Sequence, residues 1–108
     1  MRKGRVFVDQ IFAGEICEAG DGFTFSYDPA YLQNASAKPV SLTLPLSTAP
    51  YRSPTLFPFF DGLIPEGWLL DVSIKNWKLN PRDRMGLLLC CCRDSIGNVS
   101  VEDDSDAL

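Results

Sequence analysis

No histidine occurs anywhere in the 108 residues. That absence removes every Ser-His or Cys-His nucleophile pair, the HExxH metal site and any imidazole pH switch. Acid-base work could fall only to carboxylates, cysteines, lysines and tyrosines. Long apolar runs are missing too: no segment approaches the roughly 18 residues of a membrane span. The basic start Met1-Arg2-Lys3 resembles a secretory n-region, but Asp9 and Gln10 interrupt the apolar core a signal peptide needs. The expectation is a soluble, unprocessed protein. Length is short as well. It is enough for one compact domain and about half of what a protein kinase, a P-loop NTPase or a dinucleotide-dependent enzyme requires. A binding module is the better starting point than an enzyme.

Cysteine is sparse and unpatterned: Cys17 stands alone, and Cys90, Cys91 and Cys92 are consecutive. Neighbours on a helix point in different directions, so they form neither a zinc claw nor an unstrained disulfide. Reduced packing residues of a cytoplasmic protein are expected, with no metal and no cofactor. A thiol enzyme or redox sensor built on Cys90–Cys92 is the competing reading, and Arg93 is the only neighbour that would activate a thiol. Positive charge is also in short supply, with ten basic residues against 14 acidic. Four of the acids, Glu102, Asp103, Asp104 and Asp106, sit in the last seven positions. A neutral body with an acidic tail offers nothing to a phosphate backbone, so a protein, and not nucleic acid, is the expected ligand.

What the chain does have is alternation. Val6 and Val8 fall on one face and Arg5, Phe7 and Asp9 on the other, and the pattern resumes from Ile11 to Cys17, which predicts a hairpin. Ala19-Gly20-Asp21-Gly22 punctuates the chain before Phe23-Thr24-Phe25-Ser26-Tyr27, a third strand that Asp28-Pro29 ends. After a loop around residues 34–38, Val40, Leu42 and Leu44 alternate with Ser41 and Thr43, predicting a fourth strand stopped by Pro45.

Prolines then cluster at positions 45, 50, 54, 58 and 65. Ser53-Pro54 suits a cap followed by the first helical residue, so a short helix is expected through Phe57, Phe59 and Phe60 to Gly62. A second helix is expected over 66–77, with Glu66 in its first turn. A third opens with Asn80 as cap and Pro81 inside, and runs through Met85 and Leu87 to the cysteines. Ile96, Val99 and Val101 return to strand-like spacing. The predicted fold is α+β: a small antiparallel sheet or partly closed barrel with about three short helices on one side. It occupies residues 1–102, followed by an acidic disordered tail over 103–108.

On a helical wheel, Leu70, Ile74 and Trp77 share a buried stripe, whereas Trp68 lies about 160° from Leu70, near Val72 and Lys75. The plain reading folds Trp68 back under a loop as a staple or second-core residue. The functional reading makes it a partner anchor, since tryptophan is enriched among interface residues whose loss costs about 2 kcal/mol or more. Gly67 removes a side chain from the approach path. Phe57, Phe59 and Phe60 read as core bulk between helix and sheet. Asp61 with Glu66 makes a poor catalytic pair, with no histidine, ligand set or Gly-rich loop nearby. Arg82 and Arg84 beside Asp83 read as an ordinary solvated helix start. No catalytic residue is assigned.

Together, Val6-Phe7-Val8, Gly14, Phe23–Tyr27, Ser41-Leu42-Thr43-Leu44-Pro45-Leu46, the segment FFDGLIPEGW from Phe59 to Trp68, and Met85-Gly86-Leu87-Leu88-Leu89 resemble the N-terminal subdomain of the HipA serine/threonine kinase toxins. The likeness runs from about Gly4 to Val101. The kinase catalytic loop and metal-binding motifs of that family are not in this sequence, so its activity does not carry over. A free-standing copy of the subdomain resembles the HipS antitoxins of tripartite HipBST systems. The resemblance implies binding and inhibition of a HipT-like kinase toxin, in a ternary complex with a HipB-like helix-turn-helix protein. A non-inhibitory subunit bridging those two partners is the alternative. Because fused copies coexist with kinase activity, docking alone need not inhibit. The expectation is that Glu66-Gly67-Trp68 carries the indole toward the kinase active site, with Asp71, Val72 and Lys75 around it. The Cys90–Cys92 run and Arg93-Asp94-Ser95 depart from the glycine-rich turn of the fused kinases.

Overall fold

The computed structural model describes residues 2–64, 82–91 and 98–104. Five strands form one antiparallel sheet in the order β4-β3-β2-β1-β5. They are β1 (Arg2–Val8), β2 (Ile11–Ala19), β3 (Gly22–Tyr27), β4 (Tyr51–Ser53) and β5 (Val99–Asp103). The helices are α1 (Pro29–Leu32), α2 (Pro58–Asp61) and α3 (Arg84–Cys91). The fold is α+β as expected, with an open sheet and not a partly closed barrel: β4 and β5 lie at opposite edges.

The first three strands follow the alternation in the sequence. Val6, Val8, Ile16, Phe25, Val99 and Val101 are buried, while Arg5, Thr24 and Ser26 between them are part-exposed or exposed. The β1–β2 turn places both Asp9 (φ 51°) and Gln10 (φ 68°) in the left-handed region, which matches the twist of a two-residue hairpin. Asp tolerates that conformation better than Gln. The Asp9 N–H donates to the Asn98 carbonyl (2.7 Å), fastening the turn to the start of β5. Beyond it, pairing shifts from Phe7↔Phe12 to Val6↔Gly14, so Ala13 is an extra residue on β2 and is fully buried.

On the inner face, Phe25 meets Tyr27 (4.9 Å between centroids) and Phe60 (5.4 Å), joining β3 to α2. Met85, Leu87 and Leu88 of α3 complete this core. Gly4 is what lets α3 approach β1: a Cβ there would lie 2.8 Å from both the Leu89 Cδ2 and the Val101 Cγ1. Phe57 and Phe60 are buried and Phe59 packs against the same cluster, so the aromatic run is core bulk.

Several expectations are corrected. Residues 40–44 form no strand; Ser41 and Leu44 make a single isolated bridge around a turn. The fourth strand is Tyr51–Ser53, which pairs with the open edge of β3. α2 begins at Pro58 and not at Pro54. A residue before proline is biased to extended backbone, and Phe57 (φ −55°, ψ 134°) obeys, so the helix cannot include it. α1, capped by the Asp28 carboxylate on the Tyr31 N–H, was hidden behind the strand-ending reading of Asp28-Pro29. β5 continues through Asp103, paired with Gly4, and the Asp104 N–H donates to the Lys3 carbonyl. Two residues assigned to the tail are therefore held by β1. The helix over 66–77, the Asn80-Pro81 cap, Cys92 and Ile96 lie outside the described residues, as do 105–108.

Candidate partner interface

The residues expected to bind a partner, Glu66, Gly67, Trp68, Asp71, Val72 and Lys75, lie outside the described residues. The described chain stops at Ile64 and resumes at Arg82. It leaves α2 through Leu63 and Ile64, whose N–H groups return to the Phe60 (3.0 Å) and Asp61 (3.2 Å) carbonyls, and Ile64 is buried. It re-enters at Asp83, which acts as the N-cap of α3: its Oδ1 accepts from the Gly86 N–H (3.0 Å) and its carbonyl from the Leu87 N–H (3.0 Å).

Charged groups tie this junction together. Arg2, the first residue of β1, places its guanidinium between two carboxylates. Nη1 and Nη2 donate to the Asp83 oxygens (2.8 and 2.7 Å), while Nε and Nη2 donate to those of Glu18 (2.7 and 3.0 Å). The bidentate geometry holds the Asp83 carboxyl below its usual range, chiefly through the Arg2 hydrogen bonds. The same contacts raise the Arg2 guanidinium further above its already high value. Arg84 Nε donates to Asp61 Oδ1 (2.5 Å), so the end of α2 and the start of α3 are bridged across 23 positions of sequence. Arg84 and Asp83 are therefore not the merely solvated helix start that charge spacing suggests. Asp61, a poor catalytic carboxylate on sequence grounds, has Arg84 as an ion-pair partner.

A second feature was missed because the sequence reads as a strand. The loop after α1 is strapped by two tyrosine hydroxyls. The Lys38 N–H donates to Tyr31 Oη (3.0 Å), which donates to the Lys38 carbonyl (2.7 Å). The Val40 N–H donates to Tyr27 Oη (3.0 Å), which in turn donates to the Leu44 carbonyl. Burial pushes the Tyr27 phenol up, keeping it a donor. Tyr51 Oη adds a bond to the Pro45 carbonyl (2.6 Å). Ser41 and Thr43 hydroxyls bond each other (3.0 Å) at the tip. This fixed turn presents Leu42 at 96% exposure, with Leu46 at 39%. The signal available in the sequence was the pair of tyrosines before a Ser-Leu-Thr-Leu-Pro run.

Among the described residues no three His, Cys, Asp or Glu side chains are placed to hold a metal ion. The Cys17 thiol donates to Glu15 (3.3 Å) and is pushed up to about 11, mainly by burial and then by that bond, so it stays protonated at neutral pH. Two open recesses, of about 290 and 230 Å³, flank Phe23 and Pro54.

The described residues thus define a small α+β module with a one-sided core and an ion-paired junction between β1, α2 and α3. A family model described as the HipA N-terminal domain matches residues 4–102, and the chain belongs to that family. A structure described as the N-terminal domain of HipA toxin is similar, with a TM-score of 0.74 and 32% identity over 98% of this chain and 95% of that one. An uncharacterized protein of Haemophilus influenzae is 35% identical over 104 residues, which cover 96% of this chain and 94% of the relative. No helix among the described residues is long and apolar enough to cross a membrane.

Proposed function

We propose that this chain is a cytoplasmic antitoxin: a non-catalytic module that binds a HipA-like (HipT) serine/threonine kinase toxin and inhibits it, in a complex that also takes up a HipB-like DNA-binding protein. The supporting observation is the family match over residues 4–102, together with a Haemophilus relative that consists almost entirely of the same domain. The same module forms the N-terminal domain of HipA toxin and nearly the whole of the Haemophilus relative, which supports docking of the module on a toxin as a separate chain. Trp68 is the group proposed to convert docking into inhibition, with Glu66, Gly67, Asp71, Val72 and Lys75 as its contact patch. A tryptophan desolvated in an interface contributes about 2–4 kcal/mol, or roughly 30- to 1000-fold in affinity.

The test uses purified chain and cognate kinase without the DNA-binding protein. Wild type is expected to suppress autophosphorylation, and Trp68→Ala to lose that effect while keeping its circular dichroism spectrum. Binding without inhibition by the wild-type chain would replace this reading with the bridging subunit. Full inhibition by a folded Trp68→Ala would remove the tryptophan from the mechanism.

A further inference from the structure

Resting on the function proposed above, we infer that the tip of the β1–β2 hairpin is a docking surface for the kinase, with Ile11 and Phe12 as its contact residues and Phe7 and Arg5 as their support. The parity of β2 carries the first step. Gly14 and Ile16 are buried on the core face, so strict alternation would turn residue 12 inward with them. The extra residue, Ala13, takes that inward place and is fully buried, and Phe12 pairs with Phe7 on the opposite face. Phe7 and Phe12 meet edge to face with ring centroids 5.8 Å apart, and the Arg5 guanidinium carbon stands 6.0 Å from the Phe7 centroid. Ile11 stays 50% exposed and Phe12 37%. Aromatic rings, a guanidinium and an aliphatic side chain in one row have the composition of an interface centre. The bond from the Asp9 N–H to the Asn98 carbonyl fixes the turn, so little of it has to be ordered on binding.

The position of the row on the sheet points to the kinase as its occupant. β1 lies beside β5, and Phe7 is in register with Ser100. The similar structure matches 98% of this chain, β5 included, and is the N-terminal domain of its toxin, so the remainder of that toxin follows the counterpart of β5. An antitoxin acting as a separate chain lacks that covalent link and the effective concentration it supplies, and contact must hold the pair together instead. Exposed apolar side chains on the strand pair next to β5 supply such contact.

Affinity for the purified kinase is measured by calorimetry for wild type, Phe12→Ser, Ile11→Ser and Ser26→Ala, with thermal melting followed in parallel. Ser26 is an exposed residue of β3 and serves as the control away from the tip. Phe12→Ser is expected to weaken binding about 10- to 30-fold and Ile11→Ser about 3- to 10-fold, with Ser26→Ala within about twofold of wild type. Should Phe12→Ser lose its cooperative melting transition, Ile11→Ser decides, because its half-exposed side chain can be shortened with the fold intact. Wild-type affinity in the folded tip variants, or an equal loss in Ser26→Ala, overturns the docking surface and leaves the antitoxin reading standing. Absence of kinase binding by the wild-type chain overturns both.

Discussion

Phe23–Tyr27 and Val40–Leu44 carry the same alternation of apolar and polar residues, and the molecule treats them differently. The first is a central strand paired on both sides, by β2 and by β4. The second is a turn with one isolated bridge. The difference is not propensity but available edge. β3 offers its second edge to Tyr51–Ser53, and the 40–44 segment is reached first by Tyr27 Oη, which takes the Val40 N–H and the Leu44 carbonyl. Once side-chain oxygen satisfies those backbone groups, no ladder is required. Val40 and Leu44 are still buried, so the apolar pattern is honoured at its ends and broken at Leu42. Period two identifies residues that want one face; a strand also needs a partner.

The largest expected effect comes from breaking the strand. Phe25 is fully buried and touches Tyr27 and Phe60, so Phe25→Ala removes the link between β3 and α2. A loss of about 3–5 kcal/mol is expected, enough to unfold much of a marginal domain in urea titration at 25 °C. Breaking the turn costs less. Tyr27→Phe keeps the ring in the core but leaves the Val40 N–H and Leu44 carbonyl without their buried partner, for about 1–3 kcal/mol. A Tyr27→Phe chain as stable as wild type would mean that ladder-like backbone pairing can take over, and that the turn is a choice of convenience.

Legibility followed the reach of the forces involved. The three-strand meander and the buried aromatic run were readable because alternation and burial are local properties of Val6, Val8, Ile16, Phe25 and their neighbours. The start of α2 was legible in principle, through the rule that Phe57 before Pro58 stays extended. β4 was not: Tyr51-Arg52-Ser53 is too short to show a period, and its strand state derives from the edge of β3. The charged junction was the least visible. Arg2 and Asp83 are 81 positions apart, and nothing in either neighbourhood announces the other. Of the features described, the sequence reading missed both the Arg2–Asp83–Arg84 junction and the strapped Leu42 turn.

That long-range junction gives a signature on the acid side of the pH scale. The Asp83 carboxyl is held ionised by Arg2 and titrates lower in the fold than in the open chain. As pH falls, the unfolded chain binds the proton first. The stabilisation is therefore intact above the ordinary aspartate range near pH 4 and drains away as pH drops through the lower folded value. Partial exposure of both side chains limits it to about 1 kcal/mol. Arg2→Gln should lower the melting midpoint at pH 7 and converge with wild type as pH falls below the ordinary aspartate range and through the lowered folded value of Asp83. A constant gap between the two curves across that window would assign the effect of Arg2 to packing over Glu18 and Asp83 instead of charge.

The smallest effect on stability is expected where the alternation failed. Leu42→Ser removes a side chain that is 96% exposed and leaves the tyrosine straps untouched, so the free energy of unfolding should move by under about 0.5 kcal/mol. The leucine stands on a turn fixed by three tyrosine hydroxyls and exposes apolar area that Ser would not. Measuring kinase affinity alongside stability separates two accounts of it. A neutral result in both marks Leu42 as a passive loop tip. Unchanged melting with weakened binding would make the strapped turn part of the docking surface, and the tyrosines that kept residues 40–44 out of the sheet would then be the device that delivers it.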